Sequence, residues 1–228
     1  MTFAAGHGNG AGVERCRLYL ITPPALGHSL DLDAFAVSLE TALDVGDTAC
    51  VQLRMKDVGD EAVRSAARTL MPLCHQHDVA FIVNDRADLT AELGADGVHI
   101  GAEDGDYDEA RRQVGAQAIV GVSCYDSRDL GVEAAEAGAD YVAFGAFYAT
   151  GTKQPPARAD LDILRWWQTM VTVPCVAIGG ITAENCGPLV AAGADFLAVI
   201  SGVWDHPDGP AAAVRAYGQA IDAAMAER

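Results

Sequence analysis

A short pattern, a glycine followed by Ala-Asp and an apolar run, recurs at Gly94-Ala95-Asp96, Gly138-Ala139-Asp140 and Gly193-Ala194-Asp195, with a degenerate copy at Val45-Gly46-Asp47. A glycine there suits the left-handed residue that ends a helix, and the apolar run that follows suits a buried strand. Strand-like runs lie at 18–21, 49–53, 80–83, 97–100, 119–122, 141–144, 175–178 and 196–200. Every copy of the pattern precedes an even-numbered run, so the chain reads as four double units of two strands and two helices. Internal repetition of this kind suits a closed barrel and is not needed by an open sheet.

The segments between the runs have helical period. Leu32, Phe35, Leu39 and Leu43 share one face, then Ala62 or Val63 with Ala66, Leu70 and Leu73, then Leu161, Leu164, Trp167 and Met170, and finally Val214, Tyr217 and Ile221. Strict alternation of strand and helix implies a parallel sheet with helices outside. Eight units predict an α/β protein, a single (β/α)₈ TIM barrel, over 16–228. The Gly-rich opening, 1–15, reads as a flexible tail with no signal-peptide core. The competing open doubly wound sheet lacks its Gly-x-Gly-x-x-Gly signature after the first run.

A formal net charge of −17 disfavours a nucleic-acid partner, which needs a clustered basic surface. No apolar run approaches the roughly 20 residues that span a bilayer, so a cytoplasmic protein is expected. The six cysteines have no Cys-x-x-Cys spacing and read as buried reduced thiols. In so acidic a chain the placement of the few cations matters more than their number.

In such a barrel the loops after the strands form the active face. The second run is followed by Gln52, Arg54 and Lys56, the third by Asn84 and Asp85, and the fourth by Gly101 and Asp104 with His99 in the run itself. Ser123 follows the fifth, Thr150-Gly151-Thr152-Lys153 the sixth, Gly179-Gly180 the seventh and Ser201-Gly202 the eighth. Arg54, Lys56 and Lys153 on one rim suggest an anion site, and Asp85 with Asp104 could hold a hard cation such as Mg²⁺, which binds through one or two carboxylates plus a substrate's phosphates. The glycine pairs after the last two runs suggest a second phosphate site, where loop N–H groups commonly bind.

Each feature has a plainer reading. Asp85 could cap the next helix, and Arg54 and Lys56 could pair with Asp57 or Asp60. Cys74-His75-Gln76-His77 resembles a metal cluster, but residues two apart at a helix end do not face one another. His99 reads equally as a pocket-floor group or a satisfied core histidine. Trp166-Trp167 reads as one packed and one partly exposed ring.

The motifs VQLRMKD (51–57), NDRADL (84–89), GADGVHIGAED (94–104), GVS (121–123), GADYVAFGAFYATGTK (138–153), VAIGGIT (176–182) and AVIS (198–201) together resemble those of the thiamine phosphate synthase family. The resemblance covers nearly the whole chain after the tail. It implies a transferase that joins an aminopyrimidine methyl diphosphate to a hydroxyethylthiazole phosphate, giving thiamine phosphate and pyrophosphate. It implies that Gln52, Leu53, Arg54, Met55, Lys56, Asn84, Ser123 and Lys153 hold the pyrimidine diphosphate, with Arg54, Lys56, Lys153 and Ser123 acting in catalysis. Asp85 and Asp104 would bind Mg²⁺. Thr150, Gly151, Thr152, Gly180, Ile200 and Ser201 would hold the thiazole phosphate. The partners implied are these two small molecules, and a homo-oligomer is left open. Ala102 stands where the family commonly has Gln, and Met55 where an acidic residue is frequent.

Two other readings compete. The related thiazole tautomerases use a His shortly after the strand 5 serine, where this chain has Ser123-Cys124-Tyr125. A noncatalytic barrel could keep the phosphate sites without chemistry, against which the retained Asp85, Asp104 and Lys153 argue.

Overall fold

A computed structural model describes residues 15–101, 105–150 and 157–227. The strands are β1 (Arg17–Ile21), β2 (Thr48–Leu53), β3 (Ala80–Asn84), β4 (Gly97–Ile100), β5 (Ile119–Tyr125), β6 (Tyr141–Gly145), β7 (Cys175–Ile178) and β8 (Phe196–Val199). The helices are α1 (Leu32–Leu43), α2 (Asp60–Gln76), α3 (Ala87–Leu93), α4 (Tyr107–Val114), α5 (Arg128–Ala137), α6 (Leu161–Met170), α7 (Gly187–Ala192), α8 (Ser201–Trp204) and α9 (Pro210–Ala226). All strands run parallel in sequence order, and β8 pairs with β1 to close the barrel. This is the expected (β/α)₈ TIM barrel, with one additional short helix, α8, after the last strand.

Strand side chains alternate between two cores. Leu18, Leu20, Val51, Leu53, Phe81, Val83, Val142, Phe144 and Leu197 face outward into the layer shared with the helices. Tyr19, Ile21, Ile82, Tyr141, Ala143, Val176 and Ala198 form a separate cluster inside the barrel. All six cysteines are buried free thiols.

The repeated pattern closes the base of the barrel. Gly94, Gly138 and Gly193 end α3, α5 and α7 in left-handed conformation, with φ of 67°, 99° and 109°. The aspartate two residues after each glycine clamps the preceding strand, β3, β5 or β7. Oδ2 of Asp96 accepts the Phe81 N–H at 2.7 Å, that of Asp140 accepts the Val120 N–H at 2.8 Å, and that of Asp195 accepts the Cys175 N–H at 2.7 Å. Each aspartate N–H donates in return to the carbonyl of the same residue. The degenerate copy departs from this: Asp47 holds Arg15 at 2.7 Å, and Arg15 also reaches Asp222 at 2.7 Å. Asp195→Ala is expected to orphan the buried Cys175 N–H and cost about 1–3 kcal/mol. Each kcal/mol should lower Tm by roughly 2–4 °C in a chain this long, as read by thermal denaturation with the activity at room temperature retained.

Three helical or strand expectations shift. Strand β5 runs on to Tyr125, past the apolar run that ends at 122, because its half-buried polar end lines the barrel mouth. Met170 is 64% exposed, since α6 is in its last turn there and the barrel contact ends at Trp167. On α2 the buried stripe passes through Cys74, leaving Leu73 half-buried. His75 pairs with Asp96 at 2.8 Å while His77 points to Asp44 at 3.7 Å, so the two histidines face different neighbours. Trp167 is buried against Phe144, and Trp166 is partly exposed beneath the Arg128 guanidinium. No described helix is long and apolar enough to cross a membrane.

Candidate active site at the mouth of the barrel

One pocket opens at the carboxyl ends of the strands, and it gathers the described rim residues. Gln52, Arg54, Lys56, Asn84, Asp85, Ser123, Thr150, Gly180, Ile200 and Ser201 all line it. Leu53 and Met55 do not. Leu53 faces the outer layer at 1% exposure, and Met55 packs over Gly27 on that side, because alternate residues of an extended chain point to opposite faces. Asp104, Gly151, Thr152 and Lys153 lie outside the described residues, as does Ala102.

The cationic side is set by backbone pinning. Buried Thr22 accepts the Arg54 N–H at 2.9 Å and donates to the Arg54 carbonyl at 3.2 Å, fixing the chain where it leaves β2. His28 lies 3.0 Å from the Lys56 carbonyl through Nε2. Lys56 Nζ stands 3.2 Å from Asp85 Oδ2, so Lys56 turns into the pocket rather than toward Asp57 or Asp60. Asp60 instead pairs with Arg86 at 2.6 Å.

Asp85 does not cap a helix. Arg86 occupies the cap position of α3 with no side-chain cap bond, while Asp85 takes φ 63° and presents its carboxylate to the pocket. Asp tolerates this left-handed region better than most residues. Its N–H donates to the His99 carbonyl at 2.8 Å, tying the end of β3 to β4, and Asn84 Nδ2 donates to its Oδ2 at 2.5 Å.

The opposite side is built from the glycine pair after β7. Gly180 has φ 61°, and Asn185 locks the turn: its Nδ2 donates to the Gly180 carbonyl at 3.0 Å and its Oδ1 accepts the Thr182 N–H at 2.8 Å. Tyr148 donates to the Asn185 carbonyl at 2.7 Å, which brings the loop after β6, and with it Thr150, alongside.

The floor holds residues that the reading of strand ends missed. Tyr19, Tyr141, Ile21, Ala143, Val176, Ile178 and Ala198 line it from positions within the strands. Their signal in the sequence is alternation within each strand, which tells inward from outward only once the barrel is assumed. His99 is both pocket floor and satisfied core histidine: it is 8% exposed, and its ring nitrogens lie 3.0 Å from the Tyr141 hydroxyl and 2.9 Å from Ser123 Oγ. Burial, with the Arg54 charge nearby, pushes its pKa down to about 4, so the ring is neutral near pH 7.

The donor set on the acidic side fits a hard cation. A carboxylate turned into the pocket beside an amide, with room for phosphate oxygens, is the oxygen-rich and incompletely filled arrangement that Mg²⁺ takes with a phosphorylated substrate. Among the described residues no cluster of three His, Cys, Asp or Glu groups competes as a metal site.

Comparisons with known proteins point to one family. The family model for thiamine monophosphate synthase matches residues 18–203. A thiamine-phosphate synthase of Rhodospirillum centenum is 63% identical over 206 residues, covering 90% of this chain and 98% of the relative. One from Hyphomonas neptunium is 50% identical over 207 residues, covering 89% and 92%. A thiamine phosphate pyrophosphorylase structure from Pyrococcus furiosus superposes with a TM-score of 0.79 at 30% identity, covering 91% of this chain and 96% of that one. The chain belongs to the thiamine monophosphate synthase family.

Proposed function

We propose that the barrel is a transferase that joins an aminopyrimidine methyl diphosphate to a hydroxyethylthiazole phosphate, yielding thiamine phosphate and pyrophosphate. The observation that supports this is one pocket lined on one side by Arg54 and Lys56 after β2 and on the other by the glycine turn with Thr150 and Ser201, two sets of groups suited to anions. That is what two phosphorylated substrates meeting end to end require. The working unit is the single barrel domain, 16–228, acting in the cytoplasm, where its free thiols stay reduced; the expected tail, 1–15, lies outside the described residues except for Arg15, which Asp47 and Asp222 hold.

Arg54, Lys56, Asn84 and Ser123, with Lys153 from the loop after β6, hold the pyrimidine diphosphate. Asp85 and Asp104 hold Mg²⁺, which when bound neutralises charge on the leaving pyrophosphate. The bond from the methylene carbon to the diphosphate oxygen breaks in a dissociative step, and the aminopyrimidine ring spreads the positive charge left on the methylene. The thiazole nitrogen then attacks with its own lone pair, so no strong base is called for. Arg54 and Lys56 stabilise the departing charge from fixed positions, the electrostatic role that usually dominates such sites. Thr150, Gly151, Thr152, Gly180, Ile200 and Ser201 hold the thiazole phosphate and orient the nucleophile.

Pyrophosphate release from the pyrimidine diphosphate tests the reading. Release is expected only when the thiazole phosphate and Mg²⁺ are both present, and EDTA should stop it. Folded protein that releases nothing under any of these conditions would move the reading to a binding barrel.

A further inference from the structure

Behind the pocket a chain of hydrogen bonds runs across the barrel interior. Gln52 Nε2 donates to the Tyr19 hydroxyl at 2.9 Å, the Tyr19 and Tyr141 hydroxyls are 2.8 Å apart, Tyr141 is 3.0 Å from His99 Nδ1, and His99 Nε2 is 2.9 Å from Ser123 Oγ. Tyr19 and Tyr141 are each 1% exposed or less.

The Gln52 end favours one polarity for this chain. The amide nitrogen of Gln52 can only donate, so Tyr19 accepts there and its own hydrogen passes to Tyr141. Tyr141 then donates to His99 Nδ1. A neutral imidazole carries one N–H, which is left on Nε2 and donates to Ser123. The reverse order would make Tyr19 accept from both Gln52 and Tyr141 and turn its own hydrogen to the Cys50 sulfur beside it; the His99 tautomer, measured below, separates the two orders. With Ser123 Oγ already accepting from below, its hydrogen is free to turn toward the pocket.

The ring that transmits this is built in. A Cβ at Gly121 would stand 1.9 Å from Tyr141 Cζ, so a glycine on β5 makes room for the Tyr141 ring. Gly121 and Ser123 are two apart on one strand and face the same side. The Tyr141 ring lies nearly parallel to His99, at 17° and 5.6 Å between centroids. The short motifs at 121–123 and 138–141 therefore serve one device.

We propose that Tyr141 is a positioning residue: it selects the Nε2–H tautomer of His99, which makes the Ser123 hydroxyl a hydrogen donor to the substrate. The group it serves on the ligand is an acceptor, a ring nitrogen or a diphosphate oxygen. This rests on Ser123 being a residue of the pyrimidine diphosphate side.

The test is Tyr141→Phe, which keeps the ring and removes the hydroxyl. Its kcat should fall about 10-fold, the size of one lost oriented hydrogen bond, while KM for the thiazole phosphate stays within about twofold. In ¹⁵N-histidine spectra of the unliganded protein, the wild type should show His99 protonated on Nε2, and the variant should shift toward Nδ1–H. Tyr19→Phe should move both readouts in the same direction by less. Unchanged tautomer and unchanged kcat in Tyr141→Phe would overturn the proposal. So would a kcat loss with no tautomer shift, which would mark a packing role. Absence of turnover in the wild type would instead overturn the enzyme reading, and the spectrum would still decide the tautomer.

Discussion

Asp85→Ala is expected to lower kcat by about 100-fold or more, the scale seen when a preorganised charge at a developing anion is removed. Asp85 is one of two carboxylates assigned to Mg²⁺, and its side chain already faces Lys56 at 3.2 Å and Asn84 at 2.5 Å. Its loss leaves Asp104 as the one carboxylate assigned to the metal, which weakens the hold on Mg²⁺ at the leaving group. Alanine also sits poorly at φ 63°, at a cost of roughly 1–2 kcal/mol. Asp85→Asn separates the two effects, because Asn tolerates that backbone and lacks only the charge. Both variants should lose turnover, whereas only the alanine variant should melt earlier. Near-wild-type kcat at saturating Mg²⁺ in both would remove Asp85 from the metal site.

Gly180→Ala should be the most damaging single-methyl change on the thiazole side. The backbone there has φ 61°, and an added Cβ would lie 2.2 Å from the Ala149 carbonyl oxygen. That oxygen belongs to the main chain, so the conflict can be relieved only by moving the segment at 148–150 or the turn itself. Either movement displaces Thr150 and loosens the Asn185 lock on the turn. The expected result is a KM for the thiazole phosphate raised at least about 10-fold, or about 1.4 kcal/mol, with the KM for the pyrimidine diphosphate changed far less. Steady-state kinetics with each substrate varied in turn would read this. A rise confined to the pyrimidine substrate would reverse the assignment of the two sides.

The barrel was legible because parallel strands buried on both faces are continuous apolar runs, and all eight stand out on that ground. Helix faces were less so where the chain leaves the core, as at Met170, since periodicity cannot say where a helix outruns its neighbours. The repeat announced itself, but only its glycines could be understood from sequence. The reason for its aspartates is a bond to a residue 15 to 20 positions earlier, as between Asp96 and Phe81, which exists only once the strands are in register.

Rim residues such as Arg54, Lys56 and Asp85 were readable because polar residues just after an apolar run have few structural reasons to be there. Leu53 and Met55 were swept in by contiguity, although alternation turns them outward. Tyr19 and Tyr141 escaped for the opposite reason. Within a strand an aromatic looks like core, and nothing in a linear reading shows that these two face one another across the barrel, 2.8 Å apart through their hydroxyls.

The central claim is that one pocket joins the two substrates, and the most direct measurement is formation of thiamine phosphate itself. Purified protein with the pyrimidine diphosphate, the thiazole phosphate and Mg²⁺ should give thiamine phosphate and pyrophosphate in a one-to-one ratio over many turnovers. Pyrophosphate released without thiamine phosphate, at the same rate whether or not the thiazole is present, would contradict the account.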